Sequence, residues 1–255
     1  MTTRRAILGL GALALGYVAL TKGGPALWSR LAPLPEFSTE GVPDGFRKRD
    51  GAAELSAGLA NPLIGIDDGT APQPADRLDD AGLCRALFAD VLPGRVPLSY
   101  FTDYNCPYCR VLGRDLREFA ASRPDSAQLI YHELPLLGVS SVLGAHAALA
   151  ARKQSAYDLM HARLNTGVVR ITQSYIEALA AEFGLDAQQL LADMSAPDVA
   201  AQLSQSKGAA NRFGVIGTPF LLIGRTAIFG RIDPTTLERI FKDELASEAS
   251  YSCVV

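Results

Sequence analysis

The sequence predicts an α/β domain: a compact sheet with helices on both faces and a helical block inserted between its second and third strands. Three observations point there. Apolar runs and amphipathic stretches follow the order strand, helix, strand, helical block, strand, strand, helix. The interval at about 139–213 is too long for a loop and reads as helical, so it forms a cap beside the sheet. The 255 residues suit one well-cored domain plus appendages.

The patterned domain spans 76–248. Asp79 to Leu92 reads as a short helix with Leu83, Leu87 and Phe88 on one side, and Val96 to Thr102 as a buried strand. Asn105-Cys106-Pro107 starts a helix, proline fitting its first turn, with Leu112, Leu116, Phe119 and Ala120 on one face. Gln128 to Leu134 is the next strand, closed by Pro135. In the insertion, Ala145, Ala148 and Leu149 form a small-residue face, and a short segment follows around Tyr157 to Leu164. Ile176, Leu179, Ala180 and Phe183 form a stripe stopped by Gly184, and Val199, Leu203, Ala210 and Phe213 mark a helix ending at Gly214. Phe220 to Ile223 and Thr226 to Phe229 form a hairpin through Gly224. Asp233 caps a last helix that turns Leu237, Ile240, Phe241 and Leu245 inward. Residues 249–255 are a C-terminal tail.

The flanks differ in kind. Residues 1–21 place Arg4 and Arg5 before a weakly polar run, Ala6 to Leu20, the pattern of an export signal and short for a membrane-spanning helix. Thr3-Arg4-Arg5-Ala6-Ile7-Leu8 has twin-arginine form. No small-x-small cleavage site follows Leu20, so a removed signal and a retained inner-membrane anchor at 6–20 both stand; either gives a periplasmic destination. Residues 22–75 are a Pro/Gly-rich tether and irregular extension, in which Phe37, Phe46, Leu63 and Ile64 are docking candidates and Trp28 suits a membrane interface. The net charge of −3 gives no case for nucleic-acid binding.

The chemistry centres on Cys106-Pro107-Tyr108-Cys109 at a strand-to-helix junction. The first cysteine meets the unpaired N–H groups and dipole of a helix start, which stabilise a thiolate. The second lies three residues on, close enough to bond to it. Cys106 is therefore the exposed, low-pKa nucleophile and Cys109 the buried resolving thiol. Zinc would want a second ligand pair, and haem attachment a histidine where Arg110 stands. Copper(I) on the two thiolates is the alternative outside redox chemistry. Disulfide exchange calls for no cofactor. A second signal, Gly214-Val215-Ile216-Gly217-Thr218-Pro219, leads into a strand, and in this context Thr218–Pro219 is expected to be cis, opening the Thr218 backbone to a substrate strand.

Together, Phe101 to Cys109 and Gly217-Thr218-Pro219-Phe220 resemble the DsbA family of thioredoxin-fold disulfide oxidoreductases. Glu133-Leu134-Pro135-Leu136-Leu137-Gly138 with Ser140-Ser141 and the alanine-rich helix resembles its Com1-like branch. The likeness runs from about Arg95 to Phe241. It implies a thioredoxin-like fold with an inserted helical domain, and disulfide exchange with exported, cysteine-bearing proteins alongside a membrane or periplasmic redox partner. Thr218 and Pro219 fall in the substrate-binding loop, with Pro107 and Tyr108 beside it. Tyr108 stands where family oxidases more often carry histidine, and threonine before the proline also occurs in reductase and isomerase relatives, so those activities are the alternatives.

Other candidates are weaker. Cys84 and Cys253 flank the domain and are expected to pair. Glu133 and Asp103, the acids nearest the site in sequence, are candidates for relaying a proton to Cys109, against the commoner fate of a solvated or capping carboxylate. His132 at a strand end suggests a surface role, and His146 and His161 structural ones. Tyr100 and Phe101 belong to the core, and Tyr104 is the candidate to line the groove.

Overall fold

A computed structural model describes residues 34–49, 54–57, 77–167, 170–247 and 251. The segment 1–21, Trp28, Leu63, Ile64 and Cys253 lie outside them. In chain order the elements are β1 (Phe37–Ser38), β2 (Arg47–Arg49), β3 (Ser56–Ala57), α1 (Asp80–Phe88), β4 (Val96–Thr102), α2 (Pro107–Ala121) and β5 (Ala127–Glu133). The insertion then supplies α3 (Val139–Ala151), α4 (Tyr157–Leu164), α5 (Gln173–Glu182), α6 (Ala187–Asp193) and α7 (Pro197–Arg212). The chain closes with β6 (Gly217–Thr218), β7 (Phe220–Ile223), β8 (Thr226–Phe229) and α8 (Pro234–Ala246).

β4 is the axis, all seven of its residues being buried. It pairs in parallel with β5, Val96 opposite Ala127 through Thr102 opposite Glu133, and antiparallel with β7. Its alternate side chains feed two cores. Leu98 and Tyr100 pack with Leu112 and Leu116 of α2 and Ile240 and Phe241 of α8. Phe101 faces the other way, joining Phe220, Leu87 and Phe88 of α1 and Phe213. Burying one such leucine or phenylalanine contributes about 2 kcal/mol. The insertion has its own core of alanines with Met160, Ile176, Leu179 and Leu190.

Three expectations are corrected. The first helix stops at Phe88, not Leu92, because the Gln128 side chain takes the Asp90 carbonyl and the Leu92 N–H, pulling that backbone out of helical register. Leu245 is 43% exposed. Glu244 turns inward in its place, since Thr226 Oγ1, Arg47 and the Arg225 N–H all donate to its carboxylate. The extension, read as irregular, contributes strands: β2 runs parallel beside β8 and β1 antiparallel beside β2, giving the order β1-β2-β8-β7-β4-β5. Prolines leave room for two- and three-residue edge strands, and side chains hold them. Phe46 packs edge-on to Phe213 at 5.0 Å, and Arg47 reaches Asp243 and Glu244 of α8.

Candidate active site

The chain leaves β4 and must turn sharply into α2. Asp103 makes the turn. Its carbonyl accepts the Cys106 N–H at 3.1 Å, and its carboxylate takes four donors: Asn105 N–H (2.7 Å), Ser141 Oγ (2.6 Å), Leu136 N–H (2.7 Å) and Leu137 N–H (2.9 Å). That one buried side chain stitches the end of β4 to the end of β5 and to α3. Asn105 Nδ2 adds a bond to the Leu137 carbonyl at 3.2 Å.

Cys106 is the N-cap of α2 in extended conformation, with Pro107 in the first turn. Its sulfur accepts the Cys109 N–H at 3.2 Å, satisfying a helix-start donor. As a thiol it points at the Thr218 carbonyl, 3.3 Å away. Both cysteines are free. The Cys109 thiol donating to the Cys106 sulfur is the largest influence lowering the Cys106 pKa, to about 6. Burial opposes it, and Thr218, Ser56 and the Cys109 N–H assist it. Cys109 moves the opposite way, well above the ordinary thiol range, chiefly because it is buried and also because its proton is shared with Cys106. The arrangement is a thiolate–thiol pair at neutral pH, anionic at the helix start and neutral beneath it. Tyr100 donates to the Cys109 carbonyl at 2.7 Å.

The Thr218–Pro219 peptide is cis. Thr218 belongs to a short antiparallel pair in which Ser56 lies opposite Thr218 and Ala57 opposite Gly217. Cys106, expected to be exposed, is instead 0% exposed, with Cys109, Thr218 and Ser56 around it. Pro107 is exposed and Tyr108 half-buried beside the pair.

Two further positions differ from expectation. Tyr104 is buried rather than lining a groove; its hydroxyl donates to Glu133 Oε1 at 2.7 Å. His132 is buried rather than at the surface, stacked on Phe101 at 4.4 Å. Burial, then the nearby Arg152 charge, lowers its pKa to about 4, so it is neutral. Glu133 Oε1 also accepts from Tyr157 (2.8 Å) and pairs with His161 Nδ1 (3.2 Å), while Oε2 is buried without a partner. His161, expected to be structural, joins this cluster; His146 Nδ1 contacts the Met194 carbonyl at 2.6 Å. Cys84 on α1 is disulfide-bonded, and Cys253, expected as its partner, lies outside the described residues. Among the described residues no group of three or more His, Cys, Asp or Glu is placed to hold a metal. Ser56, Ser141, Tyr157 and His161 are the site residues that spacing did not reveal. Only Ser141 had a signal, in the Ser-Ser pair after Gly138.

The model of the DSBA-like thioredoxin domain matches residues 98–242, which takes in both cysteines, the insertion and the cis-proline. The chain belongs to the DSBA-like thioredoxin domain family. A thioredoxin-like oxidoreductase from Silicibacter pomeroyi is 34% identical over 65% of this chain and 98% of its own, with a TM-score of 0.59. ScsC of Proteus mirabilis in a transitional conformation is 28% identical over 74% of this chain and 90% of its own, TM-score 0.58. A periplasmic thioredoxin-like protein from Salmonella enterica is 29% identical over 67% of this chain and 99% of its own, TM-score 0.54. No curated protein matches the chain significantly. The fold is thus a thioredoxin-like core with an inserted helical subdomain, and the cysteine pair in it is a disulfide-handling redox centre.

Proposed function

We propose that the protein is a periplasmic thiol–disulfide oxidoreductase that passes disulfides to exported proteins, with Cys106 as nucleophile and Cys109 as resolving thiol. One observation carries the reading: at the start of α2 the Cys106 sulfur takes the Cys109 N–H at 3.2 Å and faces the Thr218 carbonyl, beside the cis-proline, at 3.3 Å. This setting lowers the Cys106 pKa and raises that of Cys109. In the oxidising direction a client thiolate attacks Cys106 of the Cys106–Cys109 disulfide, and Cys109 leaves as a thiolate and takes a proton. A second client thiolate then displaces Cys106, so two electrons and the disulfide change places. The stabilised Cys106 thiolate favours the reduced pair, hence the oxidase direction over the reductase and isomerase alternatives. Thr218 and Pro219, with Pro107 and Tyr108, form the client-binding surface. Of the two relay candidates, Asp103 is engaged by four donors and Glu133 by Tyr104, Tyr157 and His161, which favours structural roles for both.

The Salmonella relative is periplasmic, which supports export, as do Arg4, Arg5 and the apolar run after them. Among the described residues no helix is long and apolar enough to cross a membrane; the anchor alternative concerns 6–20, outside them. The Com1-like placement rests on the sequence likeness of Glu133 to Gly138 with Ser140-Ser141. A Cys84–Cys253 disulfide belongs to the same reading, and two alkylatable thiols in the oxidised protein would remove it.

The deciding measurement is the reduction potential of the pair against glutathione. A value well above thioredoxin's roughly −270 mV is expected, and one near or below it would replace the oxidase with a reductase. One Cu(I) bound per reduced chain without thiol exchange would replace both.

A further inference from the structure

Residues 54–57 lie across the redox centre, on the strand that precedes the cis-proline. β3 pairs antiparallel with β6, Ser56 opposite Thr218. The Glu54 carbonyl accepts the Arg231 N–H at 3.2 Å, and its carboxylate meets the Arg231 guanidinium at 3.4 Å. A glycine opens this track: at Gly230 (φ +82°) a Cβ would sit 2.6 Å from the Glu54 carbonyl oxygen. The β3–β6 register sets Ser56 beside the redox centre, where its side chain helps lower the Cys106 pKa. With this segment in place the nucleophile is 0% exposed.

We propose that residues 54–57 are a built-in pseudosubstrate, with Ser56 standing where the cysteine of a client chain sits. The inference rests on the disulfide-exchange reading above and adds how clients are recognised and held off. Serine differs from cysteine by one chalcogen atom, so a client cysteine in the Ser56 position presents its sulfur to Cys106 Sγ. The strand pairing supplies affinity without reading side chains, as in β-augmentation. Clients are therefore extended segments. Ile216, 73% exposed beside Gly217, offers an apolar rim. Such a segment must displace the strap, and the fraction of molecules with the strap in place lowers the apparent rate.

Two measurements on the full chain test this. In the first, Ser56→Cys is combined with Cys109→Ala and treated with oxidised glutathione. Two thiols then give one internal disulfide to Cys106, two electrons passing to glutathione disulfide, which leaves as two glutathione molecules. Peptide mapping should find this bond in most molecules. Leu55→Cys, one residue away on an extended strand whose side chains alternate, should instead leave Cys106 as a mixed disulfide with glutathione. Equal cross-linking from both positions, or none from Ser56→Cys, overturns the placement. In the second, Ser56→Pro removes a strand donor. Oxidation of a dithiol peptide by this variant should quicken by about tenfold, the worth of one or two backbone hydrogen bonds. An unchanged rate on the peptide, with glutathione exchange intact, overturns the strap and spares the function. Loss of glutathione exchange in the unsubstituted protein overturns the function, and the cross-link, driven then by diamide as the two-electron oxidant, still reports the strap geometry.

Discussion

Around Cys106 the polar groups are backbone atoms and small side chains: the Cys109 N–H and thiol, the Thr218 carbonyl, the Ser56 hydroxyl. Around Glu133 they are large side chains from distant elements, Tyr104 at the end of β4 and Tyr157 and His161 on α4. Both sites are buried and both hang on the turn between β4 and α2. The first site is tuned for a charge that comes and goes. The second is a clamp, joining the insertion to the sheet through one carboxylate oxygen. Backbone donors fixed by a helix start need no reorganisation when the thiolate forms, whereas a ring of rotatable hydroxyls buys fixed geometry at the cost of their freedom.

The comparison breaks if the two sites do not separate in variants. The largest effect is expected for Cys106→Ala, which should lower disulfide-exchange activity by about a thousandfold or more with the circular dichroism spectrum unchanged. Next comes pH. The Cys106 pKa is lowered to about 6 in the folded reduced protein. The reduced form should gain stability as pH rises from about 6 towards the ordinary thiol range, and lose it as pH falls through 6. Cys109, shifted up, works the other way only above its unfolded value near 9. The oxidised form has neither thiol, so denaturation midpoints of the two forms at pH 5 and pH 8 should shift relative to each other, reduced gaining at pH 8. Iodoacetamide should label Cys106 with a midpoint near 6. A midpoint near 9 would refute the tuning of the first site.

Smaller effects belong to the clamp. Glu133→Gln weakens the pairing with His161 and should cost about 2 kcal/mol, read as a lower thermal midpoint, while the iodoacetamide midpoint of Cys106 stays in place. A shift of that midpoint would instead couple Glu133 to the sulfurs. Tyr104→Phe deletes one hydroxyl and should cost about 1 kcal/mol. If it also slows exchange tenfold, the clamp is not separable from the chemistry.

What the sequence disclosed follows the same division. Cys106, Pro107 and Cys109 depend on local backbone geometry, so three-residue spacing at a strand–helix junction was enough to place them at the helix start. The strands, the helical insertion and the Asp233 cap were legible because hydrophobic period and capping residues are local too. Tyr104, His132 and His161 were placed in the wrong setting or given no partner. Their environments are assembled by residues about 25 to 60 positions away, and nothing in the local pattern distinguishes a buried tyrosine from one lining a groove. Ser56 was invisible for the same reason. It sits in a stretch with no periodicity, and its meaning comes entirely from Thr218, 162 positions on.

The pairing of Arg47–Arg49 along β8 has a consequence for colloidal behaviour. A bare β7–β8 hairpin would present a row of unsatisfied amides and carbonyls, a template on which a second molecule could zip. Here that row is occupied by a triplet of cations, Arg47, Lys48 and Arg49, and finished by a strand of only two residues. Trimming the chain to begin after residue 50 should leave the sulfur chemistry in place and yield a protein that self-associates at concentrations where the full chain stays dispersed.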